Sequence, residues 1–265
     1  MRVDVLLETF GSRWPEIRDA AAATERAGLD GVWLNDHLSG TGEGATHVLE
    51  CWTVLSALAV EVPRITVGPL VLNVANRDPG TLGVMAATLQ HISGGRLLLG
   101  LGAGARAGTS YAIEQEALGR RVPTDRDRRL AVERSIAMLR RVWSGAVPPA
   151  AGFLRPDPVP PILVGGSGPK MADLAGRVAD GFCVPAGPMT AELIAAARRA
   201  RLDSGRDPAQ LVVTVSLPSI PERGQSWAGP DVDRLIVYVG QPFDEGVTRL
   251  AEITRPWATE LRRRE

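Results

Sequence analysis

Lysine is almost missing from this sequence: Lys170 is the only one among 30 basic residues, and the rest are arginine. Acidic residues also number 30, so the formal net charge is zero. That balance excludes a global field able to draw in nucleic acid or an anionic membrane, and neither partner is expected. Arginine's planar fork still suits phosphate and carboxylate wherever a few side chains converge. Cysteine is scarce too. Cys51 and Cys183 stand far apart, and neither has a second Cys or a His at metal-ligand spacing, so no metal site is expected. Nothing in their spacing supports a disulfide, and they read as free buried thiols in a reducing cytosol. Long apolar runs are absent: the longest are strand-length, or Ala-rich and interrupted, and no membrane span is expected. The opening MRVDVLLETFG is too short and too acidic for a signal peptide. A cytoplasmic location is the resulting expectation.

The 265 residues are 45% hydrophobic and 23% charged, which excludes wholesale disorder because there is enough apolar area for a core. This length allows one large domain or two small ones, and closed α/β barrels of roughly 250 residues form as one.

Short β-branched or Leu-rich runs alternate with longer helical patterns. The spacing predicts strands at Val3–Leu7, Gly31–Leu34, Ile65–Leu72, Arg96–Leu101, Ile162–Val164, Phe182–Val184, Leu211–Leu217 and Leu235–Val239. Helical patterns cover Pro15–Gly28, Glu50–Val60, Pro79–His91, Thr124–Trp143, Pro169–Ala179, Thr190–Ser204 and Phe243–Leu261. Proline-rich Ser144–Pro161 reads as a surface loop, and only Pro218–Asp233 is left for a seventh crossover, so that helix is expected to be short or irregular. Strict βα alternation requires parallel neighbours. Eight units in this length predict an α/β (βα)8 TIM barrel, one domain over residues 1–265. An open sheet with the eighth strand at its edge is the alternative.

Barrel active sites form at the C-terminal strand ends. The polar residues there are Glu8 and Thr9, then Asn35-Asp36-His37, then Asn73 with Asn76-Arg77. Gly102-Ala103-Gly104-Ala105-Arg106 follows the fourth strand and Gly165-Gly166-Ser167-Gly168-Pro169-Lys170 the fifth. Asp36-His37 is the most chemical pair. An imidazole suits proton transfer near neutrality, and a flanking carboxylate can orient it; the plainer account is a loop His at a strand end. His91 reads as a helix-end residue complementing the helix dipole. The Gly165–Lys170 turn, with Pro169 opening a helix, has the makings of a phosphate cradle without being a Walker or Rossmann motif. An ordinary turn with Ser167 as helix cap is its plainer account. GLGAG at Gly100–Gly104 lets a flat ligand lie against backbone, while Trp33 and Trp52 are core candidates that could also stack on a ring.

Several segments in register resemble the bacterial-luciferase-like family of flavin- and deazaflavin-dependent oxidoreductases. They are ERAGLDGVWLNDHL (25–38), CWTVLSALAVEVPRITVGPLVLN (51–73), RDPGTLGVMAATLQHISGGRLLLGLGAG (77–104), RLAVERSIAMLRRVWSG (129–145) and PPILVGGSGPKMADLAGRVADGF (160–182). The resemblance implies a flavin-type ring at the barrel mouth. By it, His37 is the acid/base beside the ring, with Asp36 setting its tautomer or charge. A non-prolyl cis peptide at Leu70-Val71 backs the ring, and Gly102, Ala103 and Gly104 shape its slot. Gly165, Gly166, Ser167, Gly168 and Lys170 hold its phosphate, and Glu8 and Arg106 are substrate contacts. The implied cofactor is coenzyme F420, whose acidic polyglutamate tail could meet the arginine-rich loops. The activity is hydride transfer between reduced F420 and a small organic substrate. FMN-dependent oxygenation, with flavin reduced by an external reductase, is the alternative; a non-catalytic flavin-binding barrel is another. Dimerisation through Glu50–Val60 and Pro79–His91 is also implied. Two departures stand out. The insertion near Ser144–Pro161 is shortened, and Ala105 stands where some deazaflavin dehydrogenases carry a Glu as general acid.

Overall fold

The computed structural model describes residues 1–146, 152–223, 227 and 229–261. The middle of the proline-rich loop therefore lies outside the described residues, as does part of the connection before the last strand.

The chain alternates strand and helix: β1 (Arg2–Leu7), α1 (Trp14–Arg26), β2 (Gly31–Leu34), α2 (Cys51–Glu61), β3 (Thr66–Pro69), β4 (Leu72–Asn73), α3 (Pro79–Ile92) and β5 (Leu99–Gly102). A short helix α4 (Ile113–Ala117) precedes α5 (Asp125–Ser144), and then come β6 (Ile162–Gly165), α6 (Pro169–Val178), β7 (Gly181–Pro185), α7 (Thr190–Asp203), β8 (Val212–Leu217), β9 (Arg234–Val239) and α8 (Phe243–Leu261). The strands form one parallel sheet in the order β3-β2-β1-β9-β8-β7-β6-β5-β4. β3 and β4 are two halves of one strand, interrupted at the cis Leu70–Val71 peptide. β3 pairs with β2, β4 pairs with β5, and a parallel bridge from Val67 to Leu97 joins the two ends of the sheet. The result is a nearly closed α/β barrel with eight strand positions.

Side chains alternate along each strand, as a pleat requires. Val3, Val5 and Leu7 of β1 join the large core under the helices, while Leu6 meets Trp33 and Ile236 in a smaller cluster inside the ring. Asp4 also points inward. Buried Arg234 grips it, with Nε 2.5 Å from Oδ2 and Nη2 2.8 Å from Oδ1, and Trp33 Nε1 donates to Oδ2 at 2.8 Å. Trp33 and Trp52 are both core residues, and neither lines the functional cavity.

Two differences from the sequence reading bear on the architecture. The fourth strand begins at Leu99 instead of Arg96; Arg96 to Leu98 reach β3 only through the isolated bridge at Val67. The Arg96 guanidinium donates to the carbonyls of Ala59, Val62, Ile65 and Ser93, closing the C-terminal end of α2. Between β8 and β9 no helix forms among the described residues. Pro218, Pro221 and Pro230 leave too little uninterrupted chain for one. Both cysteines are buried free thiols. Among the described residues no helix is long and apolar enough to cross a membrane.

Candidate functional site

A cavity of about 770 Å³ opens at the C-terminal ends of the strands, within the range of small-molecule and cofactor sites. It brings together Asp36, His37, Leu70, Val71, Gly102, Ala103, Gly104, Arg106, Gly165, Gly166, Ser167, Gly168 and Lys170. Glu8 is the exception. It does not line the cavity and sits beside the Tyr238 hydroxyl, where burial and the Glu8 carboxylate together raise the phenol.

The structure separates the two members of the Asp36-His37 pair and corrects the expected partnership. Asp36 is buried, and Arg77 holds it with Nη1 to Oδ2 at 2.9 Å and Nη2 to Oδ1 at 2.8 Å. The Asn73 amide donates to Oδ2 at 2.8 Å and Asn76 Nδ2 at 3.2 Å. Arg77 also contacts Glu50, whose own carboxylate caps the start of α2. Asp36 thus ties the end of β2 to the loop after β4. Both of its oxygens accept from these donors, and neither forms a hydrogen bond or ion pair with the imidazole among the described residues.

The carboxylate that faces His37 is Glu114, on α4. Glu114 is only 5% exposed; its Oε2 accepts from the Leu38 amide at 2.8 Å and lies 3.4 Å from His37 Nδ1. That distance is ion-pair range with poor hydrogen-bond alignment, and Nδ1 has no other partner among the described residues. Burial alone would raise Glu114, but His37 and the Leu38 and Ser39 amides outweigh it and hold the carboxyl below its ordinary value. Rings flank the imidazole on two sides: Tyr111 stacked at 4.5 Å between centroids and Phe10 tilted at 5.1 Å. The Tyr111 hydroxyl is fixed in turn by Glu43. Nδ1 is buried while the side chain is 22% exposed, so the exposed part of the ring lies away from Nδ1, and His37 lines the cavity.

Leu70 and Val71 form the cavity's back wall. Val71 packs so close to Gly102 that any side chain at 102 would collide with it, and a Cβ at Gly165 would lie 2.8 Å from Val71 Cγ1. Both glycines are therefore needed for this wall. Cys183 adds a neutral thiol to the lining, pushed up to about 12 by burial.

At the other end lies the start of α6. Gly168, not Ser167, is its N-cap, so no side chain caps the helix, and Pro169 fills the first turn. The amides of Ser167, Gly168 and Lys170 donate to no acceptor among the described residues. An uncapped helix N-terminus with free amides at the rim of a cavity is an anion site in waiting. Arg128 braces the opposite side by donating to the carbonyls of Ala103 and Gly104, while Arg106 is 3.5 Å from Asp125. Among the described residues no His/Cys/Asp/Glu group could hold a metal.

Sequence reasoning did not single out Tyr111, Glu114 or Arg128. The first two lie in a stretch between Gly104 and Thr124 whose one helix spans five residues, too short for a periodic pattern. Their only signal was a carboxylate and an aromatic ring three residues apart, bounded by glycines.

The fold and this strand-end cavity are those of a luciferase-like barrel, and the family profile agrees: the luciferase-like monooxygenase profile matches residues 1–264. The chain belongs to that family of oxidoreductases. It is 30% identical over 265 residues to an F420-dependent glucose-6-phosphate dehydrogenase of Microbacterium testaceum, covering 95% of this chain and 70% of the relative. An F420-dependent secondary alcohol dehydrogenase, solved with an F420-acetone adduct, superposes with a TM-score of 0.80 at 16% identity, covering 95% of this chain and 97% of that one. A monooxygenase of Streptomyces bottropensis superposes with a TM-score of 0.76 at 17% identity, covering 97% and 100%. Likeness at that identity establishes the shared fold.

Proposed function

We propose that this chain is an F420-dependent oxidoreductase that moves hydride between reduced deazaflavin and a small organic substrate. The observation that carries the reading is a single cavity with a ring-flanked imidazole at one end and a bare helix N-terminus at the other. A ring system extended by a phosphate needs both. Ser167, Gly168 and Lys170 would hold the phosphate; Leu70, Val71 and Ala103 would bear the ring. Bound there, reduced deazaflavin supplies a hydride, leaving proton handling to the protein.

His37 is placed for that proton. With Nδ1 buried, Nε2 is the nitrogen left to give a proton to a substrate oxygen, or to take it in the reverse direction. Glu114 holds the buried Nδ1 edge, favouring the tautomer with the proton on Nδ1. Asp36 contributes rigidity, fixing the loop from which His37 projects. With Ala105 where certain deazaflavin dehydrogenases carry their acid, His37 is the proton-transfer group that the lining offers on this side. The relatives' F420 dependence supports the cofactor, and the substrate stays at the level of a small organic molecule.

Anaerobic fluorescence titration with F420 and with FMN tests the cofactor. F420 is expected to bind and support turnover, and tight FMN binding with oxygen-dependent turnover would replace this reading with the oxygenase one. His37→Ala is expected to bind F420 normally and to lose about 10²–10⁴ in turnover, the usual worth of a positioned acid/base. Unchanged turnover would remove its role.

A further inference from the structure

α4 is five residues long, below the ~12–15 residues at which an isolated helix holds itself in water. Side-chain contacts to other loops therefore decide where it sits. Two adjacent residues make them, and both are buried: Glu114 is 5% exposed and Gln115 4%. Glu114 turns toward His37 and the Leu38 amide. Gln115 turns toward the loop after β4, where its Nε2 donates to Asn76 Oδ1 at 2.6 Å.

Asn76 is held from its own side. Its Nδ2 donates to Asp36 Oδ2 at 3.2 Å, and its backbone amide donates to the Asn73 carbonyl at 3.0 Å. The bond to Asp36 fixes which way the Asn76 side chain faces: nitrogen to the carboxylate, oxygen to α4. Only a donor can then meet that oxygen. Gln115 supplies it, and Arg120 Nη1 reaches the same atom at 3.4 Å. The Gln115 carbonyl also accepts from the Leu118 and Arg120 amides, which closes the C-terminal end of α4. Asp36 is locked in turn by Arg77. A continuous run of hydrogen bonds thus leads from Arg77 through Asp36 and Asn76 to Gln115, the neighbour of the carboxylate that faces the imidazole. Neither Asn76 nor Gln115 lines the cavity.

We infer that Gln115 is a positioning residue for the His37–Glu114 pair. It docks α4 on the frame built around Asp36, and so sets the direction from which Glu114 meets Nδ1. Asp36 thereby acts on His37 without touching it, by way of Asn76 and α4. The inference rests on the acid/base reading of His37 and deepens it.

The test reads the His37 tautomer by nitrogen NMR of the intact, histidine-labelled protein without cofactor, at about pH 8.5, above the ordinary imidazole range. His37→Ala identifies its signal among the three histidines. Gln115→Met keeps the side-chain length and loses the donor. It is expected to move the tautomer ratio toward Nε2 protonation by about threefold, the scale of one neutral hydrogen bond. Asn76→Leu cuts the same bond from the other end and is expected to do the same, so the result does not hang on the folding of one variant. In a Glu114→Gln background Gln115→Met is expected to add nothing, because the carboxylate through which it acts is gone. Ile113→Ala, at an exposed position of the same helix, is expected to leave the ratio alone. An unchanged ratio in Gln115→Met and Asn76→Leu would overturn the inference. So would a full shift by Gln115→Met in the Glu114→Gln background, or an equal shift in Ile113→Ala. No cofactor is present, so failure of F420 to bind in its own titration would remove the deazaflavin reading and leave this result standing.

Discussion

At the residue scale, Glu114 is where two contacts converge. It joins two tasks, accepting the Leu38 amide and facing the buried edge of His37, so substitutions can separate them. Glu114→Gln keeps an acceptor for Leu38 but removes the charge opposite the imidazole. Cofactor affinity is expected to hold, while turnover falls by about tenfold or more because the ring is less firmly oriented. Nitrogen NMR of the imidazole should show a larger share of the tautomer protonated on Nε2, a change that a merely structural role would not produce. Acid behaviour follows from the same carboxylate. Its value in the folded protein is depressed, so its stabilisation is present above its unfolded value of about 4.3 and is lost as pH falls through the folded one. Denaturation midpoints at pH 6 and pH 3.5 should therefore differ more for the wild type than for Glu114→Gln, and an identical pH slope would contradict this.

At the scale of elements, the site is made by turns that let backbones approach. Gly104 leaves β5 with φ of 70°, and any side chain there would strike the Asn73 amide group. Gly104→Ala must therefore distort both the turn and the loop after β4. A left-handed backbone alone costs roughly 1–2 kcal/mol for a residue with a Cβ. Urea denaturation should register at least that loss, and cofactor titration should weaken with it, because Arg128 braces the same carbonyls. The glycines themselves were visible in GLGAG as permission for close approach. The partner they admit, Asn73 or Val71, was not, since it comes from a neighbouring strand. Likewise the Gly165–Lys170 turn was legible as a glycine-rich turn opening a helix, but not that Gly168 takes the cap position and leaves the amides free.

Across the whole molecule, the ring depends on its first and last strands pairing. β1 and β9 run in register from Arg2 and Arg234 to Leu7 and Val239, and the buried Asp4–Arg234 pair ties them from inside. Burial raises Asp4 more than Arg234 lowers it, so the carboxylate relies on its partner to stay ionised. Arg234→Met would leave that buried carboxyl with Trp33 Nε1 as a donor but with its counter-charge removed. Breaking one side of such a buried pair costs about 3–5 kcal/mol. In a chain of this size each kcal/mol lowers Tm by about 2–4 °C, so calorimetry should show a drop of about 6–20 °C. The cavity lies at the other end of the strands, so cofactor affinity below the transition is expected to be unchanged.

The sequence alone determined the barrel, because βα alternation admits only parallel neighbours and eight such units at this length close on themselves. It also placed His37 and the glycine turns at the open end, since position after a strand fixes the end of the barrel a residue occupies. Only the tertiary structure decided which carboxylate serves the imidazole. Asp36, adjacent in sequence, points to Arg77, while Glu114, 77 residues beyond His37, faces the ring. The reason is geometric. Neighbours along an extended chain point to opposite sides, so His37 and Asp36 diverge, and the partner of each is chosen by whatever the fold carries to that side.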